Sequence, residues 1–163
     1  CLAGYYRSYT PFKQSVVGTE VEFIFSLNNT NDYIFKGIVD RIDHDGNGNY
    51  EIHDYKSGKR AMSLNQAKKD KQLALYQIAL EQNYNNIKSV RLIWHFLQHN
   101  IEVQSNRSIK ELNSLIKDTT SKIDKIRNKI DSDENFLPKE SILCNWCYFW
   151  EECSAKTGTN PYI

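Results

Sequence analysis

Residues 37–58 read GIVDRIDHDGNGNYEIHDYKSG, and this stretch is the most informative part of the sequence. Its flanks, 37–43 and 50–56, are rich in β-branched and aromatic residues that alternate with polar ones, which is typical of strands. The residues between them, 44–49, are mostly glycine, asparagine and aspartate, which tolerate positive φ angles and close tight turns. The pattern therefore predicts a β-hairpin.

Two aspartates and a lysine stand at informative places in this hairpin. Asp40 lies on the first strand, and Asp54 and Lys56 leave the same face of the second. Taken singly, each is explained as a strand-end or solvated charge. Asp40, however, interrupts an apolar strand, where a charge is unfavourable unless paired or metal-bound. Together the three groups can hold a hard divalent cation and orient an attacking water, as phosphodiester hydrolysis requires.

The pattern outside the hairpin predicts further strands and helices. Apolar alternation marks the strands, and Ser63 is a candidate N-cap for the first helix. Strands are expected at 16–27, 33–43, 50–56 and 90–97, and helices at 63–83 and 108–130. This order indicates an α/β (α+β) fold, in which a mixed central sheet with an antiparallel meander is flanked by helices.

The helix at 108–130 carries a one-sided apolar seam. Its members are Ile109, Leu112, Ile116, Thr119, Ile123, Ile126 and Ile130. Such a seam packs on a core or on a partner helix. The core interpretation is favoured over a dimerising coiled coil, because only about three heptads are present.

Length and composition are those of an ordinary globular domain. The chain has 163 residues, 40% of them hydrophobic, so a single domain spanning 1–163 is expected. There is no apolar run of roughly 18–20 residues and no signal-peptide pattern, so we expect an intracellular protein without a membrane partner. Because the sequence begins at Cys1 and not at methionine, we also expect it to be a piece of a longer protein.

The net charge of +1 gives no overall basic field that would indicate nucleic acid. This balance does not exclude a nuclease, because carboxylates that hold a metal cancel lysines that contact phosphate. Local positive charge is present at Lys56, Lys59, Arg60, Lys68, Lys69 and Lys71.

The hairpin turn also has features of a calcium-binding loop. Residues 43–54 place oxygen donors at the first, third and fifth positions and Gly48 at the sixth, as an EF-hand does. Its twelfth residue, Asp54, is too short for the usual bidentate glutamate, and the flanks are strands where an EF-hand needs helices. A polar turn therefore explains these residues better than a calcium sensor.

Cys144, Cys147 and Cys153 form a chelating arrangement near the end of the chain. With a fourth ligand they would suit either a tetrahedral zinc site or a [4Fe–4S] cluster, and spacing alone does not choose between these. A disulfide framework is not expected in a chain this long with so few cysteines. Residues 144–153 are therefore predicted to be a metal- or cluster-binding tail.

Three motifs together resemble the PD-(D/E)XK nuclease superfamily, in its RecB/AddB-type branch with CRISPR-associated exonuclease-like members. They are GIVD at 37–40, DYK at 54–56 and, on the helix after the hairpin, QLALY at 72–76. The resemblance covers 37–76 closely. It implies a restriction-endonuclease-like core.

The resemblance also implies a role for each matching residue. Asp40, Asp54 and the backbone carbonyl of Tyr55 would bind Mg²⁺ or Mn²⁺. Lys56 would orient the attacking water and stabilise charge developing on the phosphate.

Other candidate residues lie before and after the hairpin. Gln72 and Tyr76 would position the active-site strand and the nucleic-acid backbone. Glu20, on the strand before the hairpin, is a further acidic candidate, with Glu22 as its rival. Members of this branch commonly carry an upstream metal-binding histidine, but none precedes His44 here. Either that histidine lies in a missing N-terminal segment, or the site uses fewer ligands.

For the cysteine tail, the resemblance implies a [4Fe–4S] cluster that joins the two ends of the domain, with Zn²⁺ as the alternative. The family pattern places a fourth cysteine upstream of the nuclease core. Cys1 is the candidate for it, either as the authentic ligand or as an incidental residue.

The function implied is a Mg²⁺- or Mn²⁺-dependent deoxyribonuclease, expected to be an exonuclease. Its partners would be DNA and, because no nucleotide-binding loop occurs in the sequence, a helicase or another repair or CRISPR subunit on a separate domain or chain. The alternative is a non-catalytic DNA-binding module that keeps the fold and the cysteine-bound metal.

Overall fold

The computed structural model describes residues 2–155. Its elements are α1 (Leu2–Tyr9), β1 (Val16–Ser26), β2 (Ile34–His44), β3 (Asn49–Lys56), α2 (Leu64–Ala67), α3 (Gln72–Asn83), β4 (Ser89–Phe96), β5 (Ile101–Ser105), α4 (Ile109–Asp131) and a 3₁₀ helix (Ile142–Trp146). The chain divides between Ser121 and Lys122 into two compact units. Among the helices within 2–155, none has the length and apolar character needed to span a membrane.

The first unit is built on one five-stranded sheet of order β1-β2-β3-β4-β5. Strands β3 and β4 are parallel, and the other neighbours are antiparallel. A parallel pair needs a crossover connection, which α2 and α3 supply. The predicted fold class, a mixed central sheet with an antiparallel meander and flanking helices, is confirmed.

The apolar core lies on one face of the sheet. Ile52 pairs with Ile42 on β2 and with Leu92 on β4, and all three are 0% exposed. Leu73 of α3 joins the same cluster. Because side chains alternate along a strand, Asp54 shares this face with Ile52. A carboxylate therefore stands directly beside the core.

The hairpin turn is held by its own polar groups. The Asp45 carboxylate accepts hydrogen bonds from the Asn49 side-chain amide and from the backbone N–H groups of Asn47 and Asn49, which lower the pKa of Asp45 to about 2. Gly46 and Gly48 adopt positive φ angles of 81° and 94°. Strands flank the turn on both sides, so the polar-turn interpretation agrees with the structure and the EF-hand geometry does not.

The single helix predicted at 63–83 is wrong, because two helices occupy this range. Ser63 caps α2 as predicted, in a capping box with Gln66. Helix α2 ends at Ala67, and Asp70 lies just before α3, where its Oδ1 accepts the N–H of Leu73 at 3.2 Å. An aspartate that accepts a first-turn N–H in this way marks the start of a new helix.

The sequence did not predict β5, and its interpretation of α4 holds only in part. Strand β5 is a short edge strand whose first residue, Ile101, is 45% exposed, so it carries little periodic signal. In α4, Leu112 is buried and Ile116 packs against the core, as expected. Ile126 and Ile130, further along the seam, are 51% and 61% exposed.

Replacing Gly48 by alanine should destabilise the fold more than replacing Gly46. Both positions have positive φ, but a Cβ at position 48 would lie 2.5 Å from the backbone oxygen of Asn86, whereas a Cβ at 46 meets nothing within 4 Å. We expect Gly48→Ala to lower the free energy of unfolding by about 2–4 kcal/mol and Gly46→Ala by about 1 kcal/mol, measured by urea denaturation. Equal losses would show that the Asn86 carbonyl does not constrain the turn.

Candidate functional site

Strands β2 and β3 separate at Asp40. Their paired residues end at Arg41 and His53, and beyond this point the Asp40 carboxylate accepts the N–H of Tyr55 at 2.8 Å. A side-chain oxygen thus takes the place of a ladder carbonyl. Because the N–H and C=O of one strand residue point toward the same neighbour, the Tyr55 carbonyl is also directed to the Asp40 side.

Asp54 is the buried carboxylate of the site, with 4% exposure. The Nζ of Lys56 lies 3.0 Å from its Oδ1 and 2.8 Å from its Oδ2, yet no group within 2–155 makes a well-directed hydrogen bond to Oδ2. Burial raises the pKa of Asp54, the charges of Asp40 and Asp70 raise it further, and Lys56 opposes this. The site therefore holds more negative charge than Lys56 alone neutralises.

Helix α3 fixes the position of Lys56. Lys56 Nζ donates a 3.0 Å hydrogen bond to Gln72 Oε1, and Gln72 Nε2 lies 3.4 Å from the Tyr76 hydroxyl. The Tyr76 ring packs on Gly37 so closely that a Cβ there would be 2.8 Å from its Cε1. The two helix residues predicted for the site are thus brought to it, and Gly37 is required by this contact.

The two glutamate candidates on β1 differ in their surroundings. Glu20 stands between the paired residues Thr19 and Val21, opposite Asp40 in register, and has a positive φ of 51°. Glu22 instead makes an exposed ion pair with Lys36 at 2.8 Å. Register therefore favours Glu20 over Glu22 as the glutamate nearer the site.

The residues present fit a divalent cation. Asp40 and Asp54 offer carboxylate oxygens and Tyr55 offers a carbonyl, which are the ligands that Mg²⁺ and Mn²⁺ prefer. The fit rests on Asp54 Oδ2, a buried carboxylate oxygen without a well-directed donor within the described chain. A buried anionic atom of this kind is unfavourable unless a cation or a donor satisfies it.

A model of the PD-(D/E)XK nuclease superfamily matches residues 2–154. The chain belongs to this superfamily. Among solved structures, the crystal structure of SSO0001 is similar, with a TM-score of 0.51 and 19% identity over 96% of this chain and 69% of that one. At that identity the likeness shows the fold alone. No curated protein gives a match.

Membership in the PD-(D/E)XK superfamily implies nuclease chemistry and agrees with the restriction-endonuclease-like core that the resemblance implied. The structure brings Asp40, Asp54, Lys56, Gln72 and Tyr76 together at one place, within hydrogen-bonded reach of one another or of β3. These residues are therefore the candidates for the nuclease site.

Sequence reasoning missed a second polar cluster, on the opposite face of β3. Four polar side chains are buried there: Arg41, Asp43, His53 and His95. The Arg41 guanidinium forms a salt bridge with the Asp43 carboxylate. Burial, aided by the Arg41 charge, lowers the pKa of His53 to about 4, and burial also lowers that of His95. One signal in the sequence could have indicated this cluster. Arg41 and Asp43 flank Ile42, whereas a strand with apolar cores on both of its faces would carry apolar residues at these positions.

The cysteine tail belongs to the second unit. Cys144, Cys147 and Cys153 are free and half-buried, and the N–H of Ser141 lies 3.3 Å from Cys144 Sγ. Their sulfur atoms do not all lie within 4.8 Å of one another. Cys1, the candidate fourth ligand, lies outside the described residues, so the ligand set stays a prediction.

Replacing Asp54 by asparagine should stabilise the fold at neutral pH. The raised pKa means that ionised Asp54 weakens the folded state, by an amount that grows as the pH rises from about 4, the unfolded value, through the folded one. We expect Asp54→Asn to melt a few degrees higher near pH 7, about 1 kcal/mol, with no gain below about pH 4.

Asp45→Ala should change the melting temperature in the opposite direction to Asp54→Asn, and it serves as the comparison in the same measurement. The pKa of Asp45 is lowered, so ionised Asp45 favours the folded state, and this contribution is lost as the pH falls from about 4 toward about 2. Asp45→Ala should therefore melt lower near pH 7. An Asp54→Asn protein that melts at or below the parent near pH 7 would contradict the assignment of Asp54 as a strained carboxylate.

Proposed function

We propose that the chain is a Mg²⁺- or Mn²⁺-dependent deoxyribonuclease, acting as an exonuclease, that hydrolyses phosphodiester bonds. The observation that carries this proposal is the gathering of Asp40, Asp54 and Lys56 where β2 and β3 separate. Superfamily membership supports the reaction class.

Each group at the site has a defined task in this chemistry. Asp40, Asp54 and the Tyr55 carbonyl would hold the ion; when bound, it supplies a Lewis acid for the phosphoryl group and lowers the pKa of a water. Lys56, 37% exposed at its side chain, can face both Asp54 and solvent, so its ammonium group can orient the attacking water and stabilise charge on the phosphate.

Helix α3 would set the direction of that ammonium group. Gln72 accepts one of the hydrogen bonds that Lys56 Nζ donates, and Asp54 accepts another. Fixing two of the three donors leaves the third free to be aimed at substrate. Gln72 and Tyr76 are therefore proposed as positioning residues.

DNA is the proposed substrate because basic residues cluster just before the N-terminus of α3. Three exposed lysines, Lys68, Lys69 and Lys71, lie on either side of Asp70 in the sequence. Asp70 is close enough to the site for its charge to raise the pKa of Asp54. With Arg107 the three lysines line a cavity of about 200 Å³, in which these four basic residues outnumber the acidic residues Asp70, Glu111 and Asp118. Such a cluster suits a phosphate backbone that leads into the site, although the net charge of the whole chain is only +1.

The cellular setting that we propose is DNA processing in repair, recombination, or phage or CRISPR systems, with a helicase or another subunit as partner. The proposal rests on the RecB/AddB-type motifs, above all the Gln72-to-Tyr76 segment that contacts Lys56 and Gly37. The competing function is a DNA-binding module that keeps the fold without cleaving.

For the tail, we propose a [4Fe–4S] cluster in preference to zinc. Cys144, Cys147 and Cys153 are free thiols, as either centre requires. The preference for the cluster rests on the RecB/AddB-type resemblance, whose members carry a similar Cys-x₂-Cys-x₅-Cys tail.

Lys56→Met should abolish Mn²⁺-dependent cleavage of linear DNA, because it removes the ammonium group and keeps the length of the side chain. The matched control is Lys36→Met on β2, which breaks an ion pair with Glu22 on β1 and should leave the rate unchanged. Asp54→Ala should also lose activity. We expect losses of about 10³-fold or more in kcat, measured by release of labelled nucleotides.

The parent protein decides between the nuclease and the binding module. If it binds DNA but does not cleave it with Mg²⁺ or Mn²⁺, the module is correct. If Lys56→Met cleaves as fast as the parent, Lys56 has no role in the reaction.

Anaerobically purified protein should be brown, with about four irons per chain and a broad visible absorption band. Cys147→Ser should lose both. Cys1→Ser tests the open fourth ligand: loss of iron would identify Cys1 as that ligand, and retention would place it elsewhere. A colourless parent with one zinc per chain would overturn the cluster.

A further inference from the structure

Two carboxylates and an imidazole meet on the face of β3 opposite Asp54. Asp43 on β2 is the register partner of Glu51 on β3, and like charges directly opposite each other destabilise a strand pair. His53 Nε2 lies 3.4 Å from Asp43 Oδ2 and 3.4 Å from Glu51 Oε2. The three ligand atoms all lie within 4.8 Å of one another.

His53 Nε2 is unsatisfied in this cluster. His53 is 4% exposed, and within the described part of the chain its Nε2 has no hydrogen-bond partner. The other ring nitrogen, Nδ1, is engaged with His95 Nε2 at 2.9 Å. When Nδ1 carries the proton and donates it to His95, the Nε2 lone pair faces carboxylate oxygens. A cation among the three atoms would satisfy all of them.

We propose that Asp43, Glu51 and His53 bind a divalent transition-metal ion, with Zn²⁺ in tetrahedral coordination as the best match. Bonds of about 2.1 Å from zinc to nitrogen and oxygen, at tetrahedral angles, put the ligand atoms about 3.4 Å apart. Both His53-to-carboxylate distances are 3.4 Å. An octahedral ion with bonds of the same length would need about 3.0 Å.

The neighbouring residues act as an outer shell for these ligands. With metal bound at His53 Nε2, the Nδ1–H of His53 would donate its hydrogen bond to His95 Nε2, which holds the tautomer that a metal requires. Arg91 holds Glu51 by Oε1 at 2.6 Å and so leaves Oε2 for the ion. Arg41 contacts both oxygens of Asp43, but a carboxylate oxygen has lone pairs enough for an arginine and a metal.

The fourth coordination position would face solvent. Asp43, Glu51 and Arg91 line an open cavity of about 470 Å³ at this end of the sheet, wide enough for an ion and its water to enter. The role that follows is structural: the ion ties β2 to β3 immediately before the two strands separate. It does not depend on cleavage by the Asp40 and Asp54 site.

The test counts metal in the intact chain. Protein stripped with a chelator is titrated with Zn²⁺, and separately with Co²⁺, whose visible bands report tetrahedral coordination. His53→Leu should bind one equivalent fewer than the parent, and Glu51→Gln should bind this equivalent at least about tenfold more weakly. His99→Leu, which changes an exposed histidine, should match the parent.

Because the nuclease and cysteine ligands are unchanged in these variants, the difference isolates the new site. If His53→Leu does not fold, as judged by circular dichroism, Glu51→Gln decides alone. Equal stoichiometry and affinity in the parent and the folded variants would overturn the proposal. Cleavage activity does not enter the comparison, so failure of the proposed nuclease and failure of this site are distinguishable.

Discussion

The hydrogen bond from the Tyr55 N–H to the Asp40 carboxylate is the interaction on which the site depends. Two antiparallel strands normally keep pairing for as long as their backbone groups can reach each other, because an unpaired buried N–H is costly. Here a side chain satisfies the donor, so β2 and β3 part without leaving it unpaired. The same bond brings the Asp40 carboxylate to the strand that carries Asp54.

Strand alternation then gives β3 two unlike chemical faces. Asp54 borders the apolar core, where α3 holds its lysine partner. His53 points the other way, toward Asp43 and His95. His53 and Asp54 are adjacent in sequence, but their side chains belong to separate clusters on opposite faces of β3. One strand therefore positions both the nuclease candidates and the imidazole–carboxylate cluster.

The sequence was sufficient for the parts of the molecule that local patterns determine. The hairpin strands, the turn and the Ser63 cap follow from periodicity and turn chemistry, and the superfamily followed from three short motifs. The break between α2 and α3 was missed because Asp70, whose side chain caps the start of α3, lies where the sequence pattern predicts the middle of one helix. The cluster around His53 was missed although Asp43, Glu51 and His53 lie on the predicted hairpin, because its partner His95 comes from β4, which is distant in sequence.

Gly37 shows that the spacing between α3 and the sheet is part of the site. Its missing Cβ lets the Tyr76 ring rest on β2, and Tyr76 stands one helical turn beyond Gln72, which holds Lys56. The angle of the ammonium group is therefore set by how closely a helix sits on a strand. A change of side-chain volume at position 37 would shift the Lys56 ammonium group while every acidic and basic group of the site stays in place.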